Sequence, residues 1–211
     1  MELLTLPASD GYQIAYYLWP VNRPRAIIQI AHGMGEYAIR YDWVAKQLNK
    51  AGYAVYANDH RGHGRAAKEH IGFMGPDGWN RALADMYELN QYCRGLHPKL
   101  KFCLLGHSMG ASLSQQYITL YGHSIDAVVL SGSPGFKAKR PSLFGHWAMR
   151  FESRRLKPWQ SSSFMQRAVF GSANARFEEA NSTGYEWLSR DREVVRKYVE
   201  DDKCGFVLAI G

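Results

Sequence analysis

A strand-length apolar run, Phe102-Cys103-Leu104-Leu105, leads directly into Gly106-His107-Ser108-Met109-Gly110, and helical spacing takes over from there to about Tyr121. Strand, glycine-flanked turn and helix in that order leave the chain few choices. Gly106 and Gly110 lack the Cβ atoms that would hold strand and helix apart, so the turn between them can be sharp. A serine at its apex is lifted out of the sheet, and the helix N-terminus behind it offers unpaired backbone N–H groups to an oxyanion. Ser108 is therefore a candidate nucleophile for acyl transfer. A glycine-rich turn with a solvated serine is the plainer alternative, but it accounts for neither the strand before nor the helix after.

Upstream, residues 2–7 and 12–19 read as a hairpin around Asp10-Gly11. Residues 26–31, 53–57, 102–105 and 127–130 are short, mostly apolar runs of the kind that form strands covered on both faces. Helical spacing separates them: Tyr41, Val44, Ala45 and Leu48 before Gly52; Met86, Leu89 and Cys93 before Gly95; Leu113, Tyr117 and Leu120 before Gly122. The alternation predicts an α/β fold, a mostly parallel sheet flanked by helices, with functional loops at the carboxyl ends of its strands. Those loops are His32-Gly33-Met34-Gly35-Glu36, Asp59-His60-Arg61-Gly62-His63-Gly64 and the serine turn, and all three should gather on one rim.

The alternation stops after Ser131-Gly132-Ser133-Pro134-Gly135. Residues 1–135 read as the core and 136–204 as a helical cap insertion, with helix over parts of 142–156 and 162–170 and from Asp191, an acidic cap, to Glu200. Residues 205–211 read as the start of a return to the core. The net charge of +7 is concentrated in the cap, where Lys137, Lys139, Arg140, Arg150, Arg154, Arg155, Lys157 and Arg167 face a single acid, Glu152. A solvated face is the plainer account of such a run, and contact with an anionic membrane surface the sharper one. No motif points to nucleic acid. The cap's aromatic residues, Trp147, Phe151, Trp159, Phe164 and Phe170 among them, either pack the cap on itself and the core or line an acyl-chain tunnel beside Ser108.

HGMGE at 32–36 followed by Arg40-Tyr41, DHRGHG at 59–64, GHSMG at 106–110 and WLSRD at 187–191 together resemble the α/β-hydrolase family of monoacylglycerol lipases, lysophospholipases and serine aminopeptidase-like proteins, over nearly the whole chain. The resemblance implies a serine hydrolase that cleaves a monoacylglycerol or lysophospholipid ester through an acyl-enzyme on Ser108. It also implies an oxyanion hole formed by the backbone N–H groups of Met34 and Met109. No cofactor is implied. Two local departures are Tyr37, where the family usually has His, and Ala66, where Ser is common.

A third departure is larger, because the family's acid and histidine follow the nucleophile in the order Ser, Asp or Glu, His. Downstream of Ser108 the histidines are His123 and His146. Fifteen residues of mostly helix place His123 about 20 Å from the serine at ~1.5 Å per residue, and His146 sits in the cap beside Trp147. Asp191, Asp201 and Asp202 also fall in cap sequence. The chain therefore reads as ending before the last strands of the sheet, with the triad acid and histidine beyond residue 211 and the 211-residue chain itself inactive.

The remaining polar residues of the rim take structural roles in this reading. His32 and His63 are hydrogen bonders within glycine-rich turns, Asp59 and Arg61 an ion pair inside their own loop, and His107 a packing residue. Three cysteines, Cys93, Cys103 and Cys204, lack disulfide or metal-ligand spacing, so reduced thiols and no metal are expected. No window approaches the roughly 20 apolar residues of a membrane span, and the N-terminal sequence lacks the basic and apolar regions of a signal peptide, so the expected location is the cytoplasm. Two rivals remain. One is a noncatalytic binding module on the same fold. The other is a Rossmann-type dinucleotide-binding protein, since Gly33-Met34-Gly35-Glu36-Tyr37-Ala38 follows a strand, opens a helix and has Asp59 about 20 residues on.

Overall fold

The computed structural model describes residues 1–67, 69–133, 143–177 and 182–209. Six strands form one sheet in the order β1-β2-β4-β3-β5-β6, made of β1 (Glu2–Pro7), β2 (Gln13–Trp19), β3 (Ala26–Ala31), β4 (Tyr53–Asn58), β5 (Lys101–His107) and β6 (Ala127–Ser131). The β1–β2 hairpin is antiparallel and joins β4 antiparallel, while β4, β3, β5 and β6 run parallel. This is the mostly parallel sheet flanked by helices that the alternation of runs predicts, and the arrangement that the resemblance to α/β-hydrolases implies. Register aligns Ala31 with Gly106 and His107 with Ser131, so the β3, β4 and β5 loops do share one rim.

Side-chain alternation sorts β3 between two cores. Ile28 and Ile30 pack with Trp19, Val55 and Ala45 of α1 (Asp42–Lys50) on one face. Ile27 and Ala31 face α2 (Gly78–Leu96) and α3 (Met109–Tyr121) on the other, among Leu83, Met86, Leu89, Phe102 and Leu113. Gln29, on that second face, is buried and donates to the Met86 carbonyl at 3.0 Å.

Glycines end the helices less uniformly than their spacing suggests. Gly52 is left-handed, at φ +88°, and ends α1 as expected. Gly95 lies inside α2, which runs one residue further: a Cβ there would meet nothing within 4 Å, and the buried face ending at Cys93 sustains the helix past it. Gly122 stays right-handed and starts a 3-10 turn, Gly122–Ser124.

Beyond β6 come α4 (Leu143–Arg155), α5 (Ser163–Phe170) and α6 (Arg192–Glu200), the last capped by Asp191, which accepts the Glu193 N–H at 2.9 Å. Residues 136–142, where the cap is expected to begin, lie outside the described residues. Among the described residues β6 has no strand on its outer edge, and all five of its side chains are exposed, Val129 to 50%.

Candidate active site

The turn between β5 and α3 is as tight as its glycines allow. A Cβ on Gly110 would overlap the Ala31 carbonyl and lie 2.6 Å from the His32 carbonyl oxygen; one on Gly106 would overlap the Gly110 carbonyl oxygen and Ser114 Oγ. Helix and strand touch backbone to backbone there. Ser108 takes up the bend with φ +52° and ψ −113°, a left-handed φ that an L side chain rarely adopts. Its N–H donates to the Ser131 carbonyl at 2.9 Å, and its own carbonyl accepts the Ala111 and Ser112 N–H groups, which over-determine the strained residue. The side chain is exposed, as an elbow requires.

Two backbone segments lie beside it. Met109 is the first residue of α3, with no helical carbonyl behind it, and Ser108 as N-cap makes no side-chain cap bond. Across the rim, a Cβ on Gly33 would stand 3.4 Å from Ser108 Cβ, which sets the Gly33-Met34 backbone against the serine. Among the described residues no hydrogen bond takes up the Met34 N–H.

Glu36 holds that loop. Its Oε1 accepts the Gly33 N–H at 2.8 Å and the Tyr41 hydroxyl at 2.7 Å, and its Oε2 lies 3.5 Å from Arg40 Nε. Arg40 in turn covers the Tyr198 ring of α6 at 4.8 Å. Sequence alone gives Glu36, Arg40 and Tyr41 no role; their signal is an acid three residues after a glycine whose amide needs an acceptor. The same geometry disposes of the dinucleotide reading, because the protein's own carboxylate occupies the place where the glycine loop would take a phosphate.

The β4 loop is built around buried polar groups. Asp59 accepts the Ala38 N–H at 2.9 Å and the Arg65 N–H at 2.7 Å, and burial outweighs both bonds, pushing its carboxyl up to about 6. The ion pair with Arg61 that their proximity in sequence suggests does not form. Arg61 instead gives Nε and Nη2 to Asp85 at 2.8 Å each and Nη2 to Asp10 at 2.9 Å. The loop turns the two side chains apart, one to its own backbone and the other to α2 and the hairpin.

Three imidazoles lie together under the rim, His32 and His60 with ring centroids 4.2 Å apart and His32 and His63 5.1 Å apart. His32 bonds through Nδ1 to the Gly33 carbonyl at 2.7 Å, and its Nε2 accepts the His60 N–H at 2.9 Å, which fixes a neutral tautomer. His63 Nδ1 meets the Arg61 carbonyl at 3.0 Å. His32 and His63 are thus turn-stabilising, as expected. Burial above all, and for His32 and His60 the neighbouring imidazoles, holds His32 well below the usual histidine range, His60 down to about 3 and His63 to about 4. None of them is positioned to be a base at neutral pH. His107 pairs through Nδ1 with Ser131 Oγ at 3.1 Å.

Among the described residues no side chain is hydrogen-bonded to the Ser108 hydroxyl. His123 stands at the far end of α3, edge-on to Tyr87 with ring centroids 6.3 Å apart, and the His146 side chain lies outside the described residues. Asp191 caps α6, and Asp201 accepts the Tyr37 hydroxyl at 2.8 Å, so Tyr37 ties the rim to the segment after α6. That segment folds back on the rim: Gly205 N–H donates to the Gly35 carbonyl at 2.9 Å, and the Phe206 ring lies 4.9 Å from that of His63. Among the described residues no group of three or more His, Cys, Asp and Glu side chains could hold a metal ion.

The family model described as Serine aminopeptidase, S33 matches residues 22–211. The chain is similar to the monoacylglycerol lipase of Mycolicibacterium smegmatis, at 38% identity over 127 residues, 58% of this chain and 43% of the relative. It is similar to the monoglyceride lipase of Rattus norvegicus at 33% over 114 residues, 54% and 37% of the two chains. The chain therefore spans less than half the length of these relatives. Among solved structures, a thermostable carboxyl esterase from Bacillus coagulans superposes with a TM-score of 0.83 at 25% identity, covering 99% of this chain and 68% of the esterase. A monoacylglycerol lipase from Paleococcus ferrophilus shares the fold with a TM-score of 0.65 at 21% identity, covering 100% and 66%.

Proposed function

Because the chain belongs to the serine aminopeptidase S33 family of α/β-hydrolases, we propose that it is the nucleophile-bearing part of a serine hydrolase that cleaves a lipid carboxylic ester. The observation that carries the reading is Ser108, exposed and held at φ +52° on the N-terminus of α3 with the Gly33-Met34 backbone beside it. In this reading Ser108 Oγ attacks the ester carbonyl, and the Met34 and Met109 N–H groups receive the oxyanion of the tetrahedral intermediate. Collapse expels the alcohol and leaves the acyl group on Ser108; water then releases the acid. A histidine must take the serine proton and return it to the leaving alcohol, and a carboxylate must orient that histidine. We place both in chain beyond residue 211, which also supplies strands against β6; the unpaired β6 edge and the length of the relatives support this. Residues 1–211 alone are then inert, because the serine lacks its base.

The substrate class we propose is a monoacylglycerol or lysophospholipid, on the likeness to monoacylglycerol and monoglyceride lipases. Domain limits follow the sequence reading, with core at 1–135, cap at 136–204 and return to the core from 205. Exposed Trp147 and Phe151, 71% and 66% accessible, share a face of α4 with Arg150 and Arg154. That face suits transient contact with an anionic membrane surface from the cytoplasmic side. Among the described residues no helix is long and apolar enough to cross a membrane.

The test is to read the coding sequence past Gly211 and to label the extended protein with a fluorophosphonate. We expect labelling of the extended protein that Ser108→Ala abolishes, and none of residues 1–211. A stop codon after Gly211, or an extended protein that takes no label, overturns the reading in favour of a noncatalytic module; labelling that survives Ser108→Ala overturns the assignment of Ser108 as the nucleophile.

A further inference from the structure

A cavity of about 550 Å³ opens between the hairpin, the loop after β4 and the cap, and none of its walls belongs to the residues around Ser108. Its size falls in the range of small-molecule sites, roughly 300–1,000 Å³. One wall is the Arg61 guanidinium laid on the Tyr12 ring, 4.1 Å from its centroid, with the Tyr12 hydroxyl anchored on the Ala66 carbonyl at 2.6 Å. The other is His70 stacked on Trp159, ring centroids 5.1 Å apart and 6° from parallel. Phe73 and Met74 line the space between them. Aromatic rings in both walls, with Phe73 and Met74 in the lining, suit a planar apolar body.

The polar element is equally defined. Arg61 commits Nε and Nη2 to Asp85 and Asp10, and among the described residues no hydrogen bond uses Nη1. Its charge and that of Arg81, 3.6 Å from Asp10, are balanced by those two carboxylates, and Glu69 in the lining stands against Lys157, whose Nζ lies 5.5 Å from the Trp159 ring centroid. An N–H without a partner among the described residues, in surroundings whose cations and carboxylates cancel, favours a neutral acceptor, a carbonyl oxygen, which brings no charge of its own to be compensated.

We infer that this cavity is a second ligand site, taking an uncharged planar apolar molecule with one carbonyl acceptor directed at Arg61. The site bridges core and cap, because Trp159 comes from the cap sequence and the other walls from the hairpin and the β4 loop. It is independent of the ester-hydrolase reading, and its test needs no turnover.

The probe is prodan, a neutral naphthyl ketone whose emission shifts to the blue in an apolar site. Titrated into the protein it should bind saturably at one site with blue-shifted emission. Trp159→Ala, at a side chain 40% exposed and so removable without opening the core, should weaken binding at least fivefold, and Ala66→Leu should weaken it by narrowing the cavity. The double variant Trp147→Ser, Phe151→Ser should leave the affinity within twofold. 2-Acetylnaphthalene should displace the probe at least tenfold better than 2-naphthoate. Absence of saturable binding overturns the inference. So does affinity indifferent to Trp159→Ala, affinity lost with the α4 double variant, or naphthoate competing as well as the ketone.

Discussion

Acidification should unfold this protein well before its surface carboxylates protonate, because of His32, His60 and His63. All three are 0% exposed, and burial keeps them neutral when folded. In the unfolded chain each takes a proton near 6.5, so below that pH the unfolded state gains protons the folded state refuses. The stabilisation by a neutral buried histidine is thus complete above about pH 6.5 and falls by ~1.4 kcal/mol per pH unit beneath it. With His60 at about 3 and His63 at about 4 in the folded protein, the loss at pH 5 is about 2 kcal/mol for each of these two, roughly 4 together, and His32 adds to it in the same sense.

Asp59 works in the opposite sense. Its folded carboxyl, raised to about 6 from 3.8, takes up a proton before the unfolded one does, and this returns about 1 kcal/mol by pH 5. Asp10, Asp42 and Asp126 are held below 3.8 and lose their contribution only in stronger acid. From His60, His63 and Asp59 the net fall between pH 7 and pH 5 is about 3 kcal/mol, a large part of the whole stability of a marginal domain, ~5 kcal/mol; His32 deepens it, and Asp85, whose carboxyl burial also raises, offsets part of it. Urea unfolding at submicromolar concentration, followed by tryptophan fluorescence at half-unit steps of pH, measures it directly. His60→Leu should recover about 2 kcal/mol at pH 5, since neither ring nitrogen of His60 has a hydrogen-bond partner. A free energy of unfolding that stays flat from pH 7 to 5 refutes the argument, because it would mean that the folded cluster takes up protons as readily as the unfolded chain.

Gly110→Ala should cost about 3 kcal/mol or more in urea unfolding despite alanine's ~1 kcal/mol helix advantage, because the new methyl meets the Ala31 backbone. Asp59→Ala should cost about 3 kcal/mol by stranding the Ala38 and Arg65 N–H groups, whereas Asp59→Asn, which keeps an acceptor and removes a buried charge, should cost less; equal losses would count against this. Residues 1–211 should self-associate through the β6 edge in sedimentation velocity, and Val129→Lys should shift them toward monomer. Monomeric behaviour of the parent up to high concentration would contradict it.

The sheet could be read from sequence because strands buried on both faces are short and apolar, and the three glycine-rich motifs mark where those strands end. Ser108 could be read because only glycine permits the approach at 106 and 110. The Arg61 partner could not, since Asp10 and Asp85 reach it from the hairpin and from a helix 24 residues on, and local sequence carries no rule for choosing among several nearby acids. Gly95 was misread for a related reason: a glycine's preference for ending helices is worth ~1 kcal/mol, less than the packing of the buried α2 face that precedes it.

The contacts made by residues 198–206 explain why the rim is more than the sum of its motifs. Glu36 fixes Gly33 beside Ser108; Arg40 links Glu36 to the Tyr198 ring; Tyr37 reaches Asp201; and the Gly35 carbonyl receives Gly205. The last three contacts join the segment after β3 to chain 158, 164 and 170 residues later, and Gly35, at φ +69° with the Phe206 carbonyl oxygen 2.5 Å from where a Cβ would stand, leaves room for no other residue. The backbone that we propose to receive the oxyanion is therefore held from both sides, by its own glutamate and by the segment following α6. A change at Tyr198 or Asp201, neither of which touches Ser108, should loosen the Gly33-Met34 loop and speed amide hydrogen exchange at Met34, while exchange in β5 stays as it was.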